Sequence, residues 1–269
     1  MNTARVLSTA MLRRYVAECI GAFGLLFFGC GVRDWVGDVP VTDPAGVLVV
    51  HLAFGFAIAV AIYSLTHISS AHFNPAITFG FALSRHFRWK YVVPYWIAQF
   101  CGAILAIALH VLILPEKAVA AHFGATKPQG GVVPALTIEI ILTFFLMLVS
   151  LAAATDKRFR RSESGLTVGF TILIAGLVGN FISGGSMNPA RSLAPALFAG
   201  GEALANVWIY FVGPAIGAAI AALIYEFIRG TKEHAKDVLE ELPNIDEVLS
   251  KMKQEPQEES LQDAVKQMP

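Results

Sequence analysis

Six apolar stretches, each of roughly 20 residues, alternate with short polar segments along the chain. A helix of that length crosses the roughly 30 Å of hydrocarbon in a bilayer. Two shorter apolar segments, near residues 74–84 and 188–199, cannot cross alone and predict half-helices. The pattern therefore predicts an all-α membrane protein with six transmembrane helices and two re-entrant half-helices. The six long stretches cover residues 14–32, 46–68, 89–113, 133–155, 165–183 and 205–229.

The composition agrees with a membrane location. Of the 269 residues, 55% are hydrophobic and 15% are charged, and the mean hydropathy is +0.61. The net charge of zero gives no reason to expect a nucleic-acid partner. We expect no cofactor, no bound metal and no enzymatic activity, because no nucleophile–base set, metal-ligand cluster or phosphate-binding loop occurs at a usable spacing. The cysteines, Cys19, Cys30 and Cys101, are interpreted as small core residues.

The tripeptide Asn-Pro-Ala occurs at the start of each short apolar segment, as Asn74-Pro75-Ala76 and Asn188-Pro189-Ala190. Asn is a favoured N-cap and Pro is favoured at the first helical position, so each tripeptide predicts a helix start. A start inside a bilayer leaves backbone N–H groups and a positive dipole end at mid-depth. Such an end is tolerated only against protein or a wet cavity, which predicts a water-filled path.

The two halves of the chain repeat each other. Residues 68–76 resemble residues 182–190, and Glu18 of the first long stretch recurs as Glu139 of the fourth. Because three spans separate the half-helices, the two repeats have inverted topology and share a site at mid-bilayer. We expect repeat one at residues 14–113 and repeat two at residues 133–229, within one channel domain of residues 14–229.

Basic residues predict the orientation. Lys and Arg concentrate in the N-terminal segment 1–13 and in the 85–90 and 157–161 loops, whereas the alternate loops hold only Arg33, Lys117 and Lys127. By the positive-inside rule both termini are cytoplasmic, so the first half-helix enters from the cytoplasm and the second from outside. Residues 230–269 are rich in Glu, Lys and Gln and are expected to form a cytoplasmic tail.

The paired Asn-Pro-Ala segments, the Arg191 that follows the second, and the Glu-bearing helices resemble the aquaporin, or major intrinsic protein, family. The resemblance covers about residues 10–230. It implies a passive channel in the plasma (cell inner) membrane that passes water and small neutral solutes and excludes protons and ions. It also implies a homotetramer with one pore per subunit.

The same resemblance implies roles for individual residues. Glu18 and Glu139 would accept N–H bonds from the re-entrant loops, with Thr143 supporting Glu139 where the first repeat has only Ala22. Asn74 and Asn188 would offer amide N–H groups to the pore. The constriction would consist of Phe54, Gly176, Gly185 and Arg191. The pore-lining carbonyls would belong to Ser70, Ala71, His72, Gly184, Gly185 and Ser186.

The solute range is less clear from the sequence. The two glycines of the constriction widen it, whereas Ser192, Ala196, Tyr210 and Phe211 match water-selective members. Our hypothesis is a water pore that also admits glycerol, hydrogen peroxide or undissociated metalloid acids, with a strictly water-selective channel as the alternative. A secondary transporter also uses inverted repeats and broken helices, and a junction or scaffold protein is a further class.

Overall fold

The computed structural model describes residues 8–37, 43–156 and 158–229. The predicted tail, residues 230–269, lies outside the described residues, as do residues 1–7 of the N-terminal segment. By its internal contacts the chain divides into a unit Met1–Glu226 and a unit Phe227–Pro269. The helices of the first unit form the membrane part.

Six of the helices in the described ranges are long and apolar enough to cross a membrane, as the sequence predicted. The helices are α1 (Thr9–Val36), α2 (Pro44–Ser69), α3 (Pro75–Leu83), α4 (Val92–Ile113), α5 (Pro115–Ala120), α6 (Val132–Thr155), α7 (Ser164–Gly179), α8 (Pro189–Ala199), α9 (Gly201–Ala205) and α10 (Ile209–Arg229). The spanning helices are α1, α2, α4, α6, α7 and α10, and the half-helices are α3 and α8. The membrane face at which α1 begins is called the first face below.

Some helix bounds differ from those that hydropathy predicted. Helix α1 begins at Thr9 rather than near residue 14, so Arg13 and Arg14 lie within it with exposed side chains. Long basic side chains reach the membrane surface from inside a helix, which is why hydropathy placed the start too late. Helix α7 stops at Gly179, and Asn180 and the residues after it turn into the second re-entrant loop.

Glycines bring the helices of each repeat into backbone contact. A Cβ placed on Gly102 of α4 would overlap the carbonyl of Cys19 on α1. In the second repeat, a Cβ on Gly217 of α10 would overlap the carbonyl of Ile140 on α6. The two helix pairs therefore cross in the same way in both repeats, through small residues that let backbones approach closely.

Polar and apolar side chains are distributed as a lipid environment requires. Glu18, Gln99, Glu139 and Ser192 are fully buried among the helices. Large apolar side chains face outward, and they include Phe56, Leu112, Phe145, Phe170 and Leu223. The buried polar side chains are therefore available to hydrogen-bond the re-entrant loops at the centre of the bundle.

Candidate pore and its constriction

The two half-helices begin at Asn74 and Asn188, and these residues join the two loops. The side-chain oxygen of Asn74 accepts the N–H of Ala76 at 2.9 Å, and that of Asn188 accepts the N–H of Ala190 at 2.9 Å. The amide of Asn74 donates to the carbonyl of Met187 at 2.8 Å. The amide of Asn188 donates to the carbonyl of Phe73 at 3.1 Å. The bonds are reciprocal, so each helix start is fixed to the loop of the other repeat.

Each asparagine side chain has a second N–H group that the bond between the loops does not use. A side-chain amide has two N–H groups, and the bond to the opposite loop uses one of them. Both Asn74 and Asn188 line the same cavity, although each is only about 5% exposed or less. The second N–H of each amide is therefore available to a molecule in the cavity.

The loops that precede the half-helices have matching left-handed backbones. Ser70, Ala71 and Phe73 have positive φ values of 76°, 54° and 51°, and the equivalent Gly184, Gly185 and Met187 have 88°, 61° and 56°. Left-handed backbone costs a non-glycine residue of order 1–3 kcal/mol and persists only where surrounding contacts impose it. The first loop adopts this conformation with a non-glycine residue at all three positions, so surrounding contacts must hold it in place.

Two buried carboxylates supply that support. Glu18 accepts the backbone N–H of His72 at 3.0 Å and of Phe73 at 2.7 Å. Glu139 accepts the backbone N–H of Ser186 at 2.8 Å and of Met187 at 2.7 Å. Hydrogen bonds to a charged acceptor are roughly twice as strong as neutral ones.

The partners that hold the carboxylates themselves differ from the family expectation. The side chain of Gln99 donates to Glu18 at 2.7 Å, and the hydroxyl of Ser183 donates to Glu139 at 2.7 Å. The hydroxyl of Thr143, expected to support Glu139, is buried and makes no hydrogen bond to any described residue. In both repeats the support comes from residues distant in sequence.

Tyrosines brace the two loops from behind. The hydroxyl of Tyr95 on α4 donates to the carbonyl of Ser69 at 2.8 Å, and that of Tyr210 on α10 donates to the carbonyl of Ser183 at 2.6 Å. The two bonds occupy equivalent places in the repeats. Tyr210, which the sequence offered only as a marker of solute preference, thus has a structural contact of its own.

A cavity of about 560 Å³ runs along the two loops. It reaches from the first face, past both asparagines, to Arg191. At the first face it is lined by Tyr63, Arg161 and Ser164. Of the residues predicted to present carbonyls, it is lined by Ser70, Ala71, His72, Gly185 and Ser186, whereas Gly184 is not among its lining residues.

The ring of His72 is fixed against aromatic neighbours at this cavity. It stacks on Phe81 with ring centroids 4.6 Å apart, and its Nδ1 lies 3.2 Å from the hydroxyl of Thr78. That hydroxyl also accepts a bond from Gln99 at 2.9 Å. Phe81 and Thr78 therefore hold the ring of His72 in place.

Arg191 lies in the first turn of α8 and is buried. Its Nη1 donates to the carbonyl of Gly124 at 2.8 Å, and its guanidinium lies over the ring of Phe54 at 4.6 Å from the ring centroid. Gly124 belongs to the loop between α5 and α6 and has a φ of 69°. The carbonyl and the aromatic face stabilise a cation that opposes the local helix dipole.

The fourth wall of the constriction differs from the prediction. Phe54, Gly185 and Arg191 line the cavity, but Gly176 does not. The ring of His51, one turn before Phe54 on α2, lines it instead, and a Cβ on Gly176 would overlap that ring. The space that the missing side chain of Gly176 leaves is therefore filled rather than open.

A chain of buried hydroxyls connects the second loop to the α5–α6 connection. The hydroxyls of Thr126 and Ser192 lie 2.7 Å apart, and Ser192 donates to Ser186 at 2.6 Å. Ser186 donates in turn to the carbonyl of Asn188 at 2.9 Å. Ser192 thus contacts the second re-entrant loop directly.

Comparison with known proteins agrees with this architecture. The model of the family described as "Major intrinsic protein" matches residues 5–225, which is most of the chain. This chain belongs to the major intrinsic protein family. As the sequence predicted, it is a membrane channel for water and small neutral solutes and not an enzyme.

Relatives of this aquaporin-family channel cover nearly its whole length. Aquaporin NIP1-1 of Zea mays is 40% identical over 87% of this chain and 81% of its own. Aquaporin NIP3-1 of Arabidopsis thaliana is 36% identical over 96% of this chain and 80% of its own. The X-ray structure of the aquaglyceroporin from Plasmodium falciparum matches with a TM-score of 0.72 at 23% identity, over 80% of this chain and 95% of that chain. At that identity the last likeness concerns the fold alone.

Proposed function

We propose that this channel passes water together with small neutral hydroxylated solutes, such as glycerol, hydrogen peroxide or undissociated metalloid acids, and excludes protons and ions. The observation that carries the proposal is the reciprocal bonding of Asn74 and Asn188 at the tips of two half-helices inside one cavity. It leaves two amide donors at the same depth, on an otherwise largely apolar path.

Proton exclusion follows from those donors. A water molecule that accepts one N–H from Asn74 and one from Asn188 has both lone pairs occupied and cannot accept a proton from its neighbour. The two half-helices also direct their positive dipole ends toward this point, which repels hydronium and other cations. The buried guanidinium of Arg191 adds a second positive barrier.

Solute passage follows from the composition of the walls. The strained loop residues Ser70 and Ala71 line the cavity on one side, while Ile58, Ile77 and Val168 line it with aliphatic side chains. A hydroxylated solute can exchange hydrogen bonds along the loops, and it meets a donor at Arg191. We assign the constriction to Phe54, Gly185 and Arg191, and the loop-supporting role to Glu18 and Glu139.

The orientation is proposed from charge. The first face would be cytoplasmic, because the loop between α6 and α7 is rich in arginine. In that loop the guanidinium of Arg158 donates to the Asp156 carboxylate at 2.8 Å, which raises the pKa of the guanidinium. We further propose a plasma (cell inner) membrane location, a channel domain of residues 14–229 with cytoplasmic terminal segments, and a homotetramer with one pore per subunit.

The strictly water-selective alternative has one observation in its favour, the imidazole of His51 over Gly176. Stopped-flow light scattering on proteoliposomes separates the two functions. Vesicles that contain the purified channel should shrink faster than protein-free vesicles in an impermeant osmolyte. In glycerol they should also re-swell faster than protein-free vesicles. Water permeation with glycerol permeability equal to that of protein-free vesicles would contradict the broader range.

A further inference from the structure

The side chain of His51 fills a space in the constriction that we expected from the sequence to be open. Gly176 was expected to widen the pore, yet it does not line the cavity, and the His51 ring lies between it and the lumen. Gly176 also contacts Gly185, since a Cβ on Gly185 would lie 3.0 Å from the Cα of Gly176. The two glycines thus abut, and the ring closes the gap beside them.

The ring is held in one orientation. Its Nε2 lies 3.2 Å from the side-chain oxygen of Asn180, which is buried at the turn that follows α7. With that oxygen as acceptor, Nε2 carries the proton and Nδ1 is an acceptor. Nδ1 makes no hydrogen bond to any residue in the described ranges, and it is the ring atom nearest to a Cβ on Gly176.

His51 belongs to the same wall as the other constriction residues. Its ring centroid is 6.3 Å from that of Phe54, whose face contacts the guanidinium of Arg191. The residue is only 3% exposed and yet lines the cavity, so its side chain faces a narrow space. A passing solute would meet the guanidinium of Arg191 and the ring of His51 within one constriction.

We infer that His51, positioned by Asn180 and accommodated by the missing side chain of Gly176, completes the constriction and sets the size limit for neutral polyols. This inference rests on the proposed function, since a size limit has meaning only in a conducting pore. Because Gly176 has no side chain, α7 leaves room there for the ring of His51 from α2.

The test compares permeabilities of water, glycerol and the four-carbon polyol erythritol in proteoliposomes. His51→Ala should raise the erythritol-to-water permeability ratio by about threefold or more, because pore diameter and lining groups determine which solutes pass. His86→Ala is the matched control, since His86 is exposed and is not among the residues that line the cavity, so its substitution should leave the ratio unchanged. His51→Phe keeps a ring and should keep the low ratio.

A rescue variant tests the steric pairing. Gly176→His alone should reduce all permeabilities because two rings compete for one space. His51→Ala combined with Gly176→His should return the ratio toward the unsubstituted value. If His51→Ala folds, conducts water and keeps the erythritol ratio of the His86→Ala control, the inference is wrong while the proposed function stands. If the unsubstituted channel conducts no water, the proposed function fails and the inference fails with it.

Discussion

Replacing Glu139 by Gln removes one acceptor from the centre of the second loop. The carboxylate accepts three bonds, from the hydroxyl of Ser183 and the backbone N–H groups of Ser186 and Met187, at 2.7–2.8 Å. The amide of Gln has one oxygen in place of two, so however it turns, at least one of these donors faces an N–H group. The substitution keeps the size of the side chain and changes only its hydrogen-bonding capacity.

The expected effect is a moderate loss of stability and a larger loss of conduction. Losing a charge-assisted bond costs about 1.5–3 kcal/mol. The neutral side chain recovers part of the desolvation cost of a buried charge, which places the net loss toward the lower value. For a chain of this size that loss lowers the Tm by about 3–6 °C. Water permeability should fall further, because the released loop carries Asn188.

Thermal unfolding in detergent and stopped-flow permeability of the same preparation measure the two effects. Glu202→Gln is the matched control, since Glu202 is exposed on α9 and its substitution should change stability by no more than about 0.5 kcal/mol. A Glu139→Gln channel with the Tm and permeability of the Glu202→Gln control would refute the loop-supporting role.

Three further substitutions have expected outcomes. Gly217→Val should destabilise the fold by about 1–3 kcal/mol or prevent folding, because its Cβ would overlap the backbone of Ile140. Gly24→Val is the control, since a Cβ there meets no atom within 4 Å. Equal yields of folded protein from the two variants would contradict the packing. Ser192→Ala should lower thermal stability by about 1–3 kcal/mol, since Thr126 and Ser186 each lose a buried partner; an unchanged Tm would contradict the hydroxyl chain. Arg191→Ala should raise the glycerol-to-water permeability ratio in proteoliposomes, and an unchanged ratio would argue against its place in the constriction.

The sequence predicted the features that have a local signal. An N-cap residue followed by Pro at the first helical position is sufficient to start a helix wherever it occurs, so Asn74 and Asn188 located both half-helices. A carboxylate within an apolar helix requires partners, which made Glu18 and Glu139 candidates before any contact was known.

The remaining features depend on contacts between distant segments. Nothing local marks Gly124 as the acceptor for Arg191, or Gln99 as the donor to Glu18, because helix packing alone brings these residues together. His51 is a partial exception. It lies three residues before Phe54 on one helix face, and that spacing could have placed its ring beside the constriction.

The central claim is that two half-helix tips, joined through Asn74 and Asn188, pass water and stop protons. The most direct test measures water flux and proton flux in the same proteoliposomes, with a pH-sensitive dye inside and an imposed pH gradient. The account predicts water permeability well above that of protein-free vesicles and a proton leak equal to theirs. A proton leak that rises in proportion to the amount of reconstituted channel would contradict it.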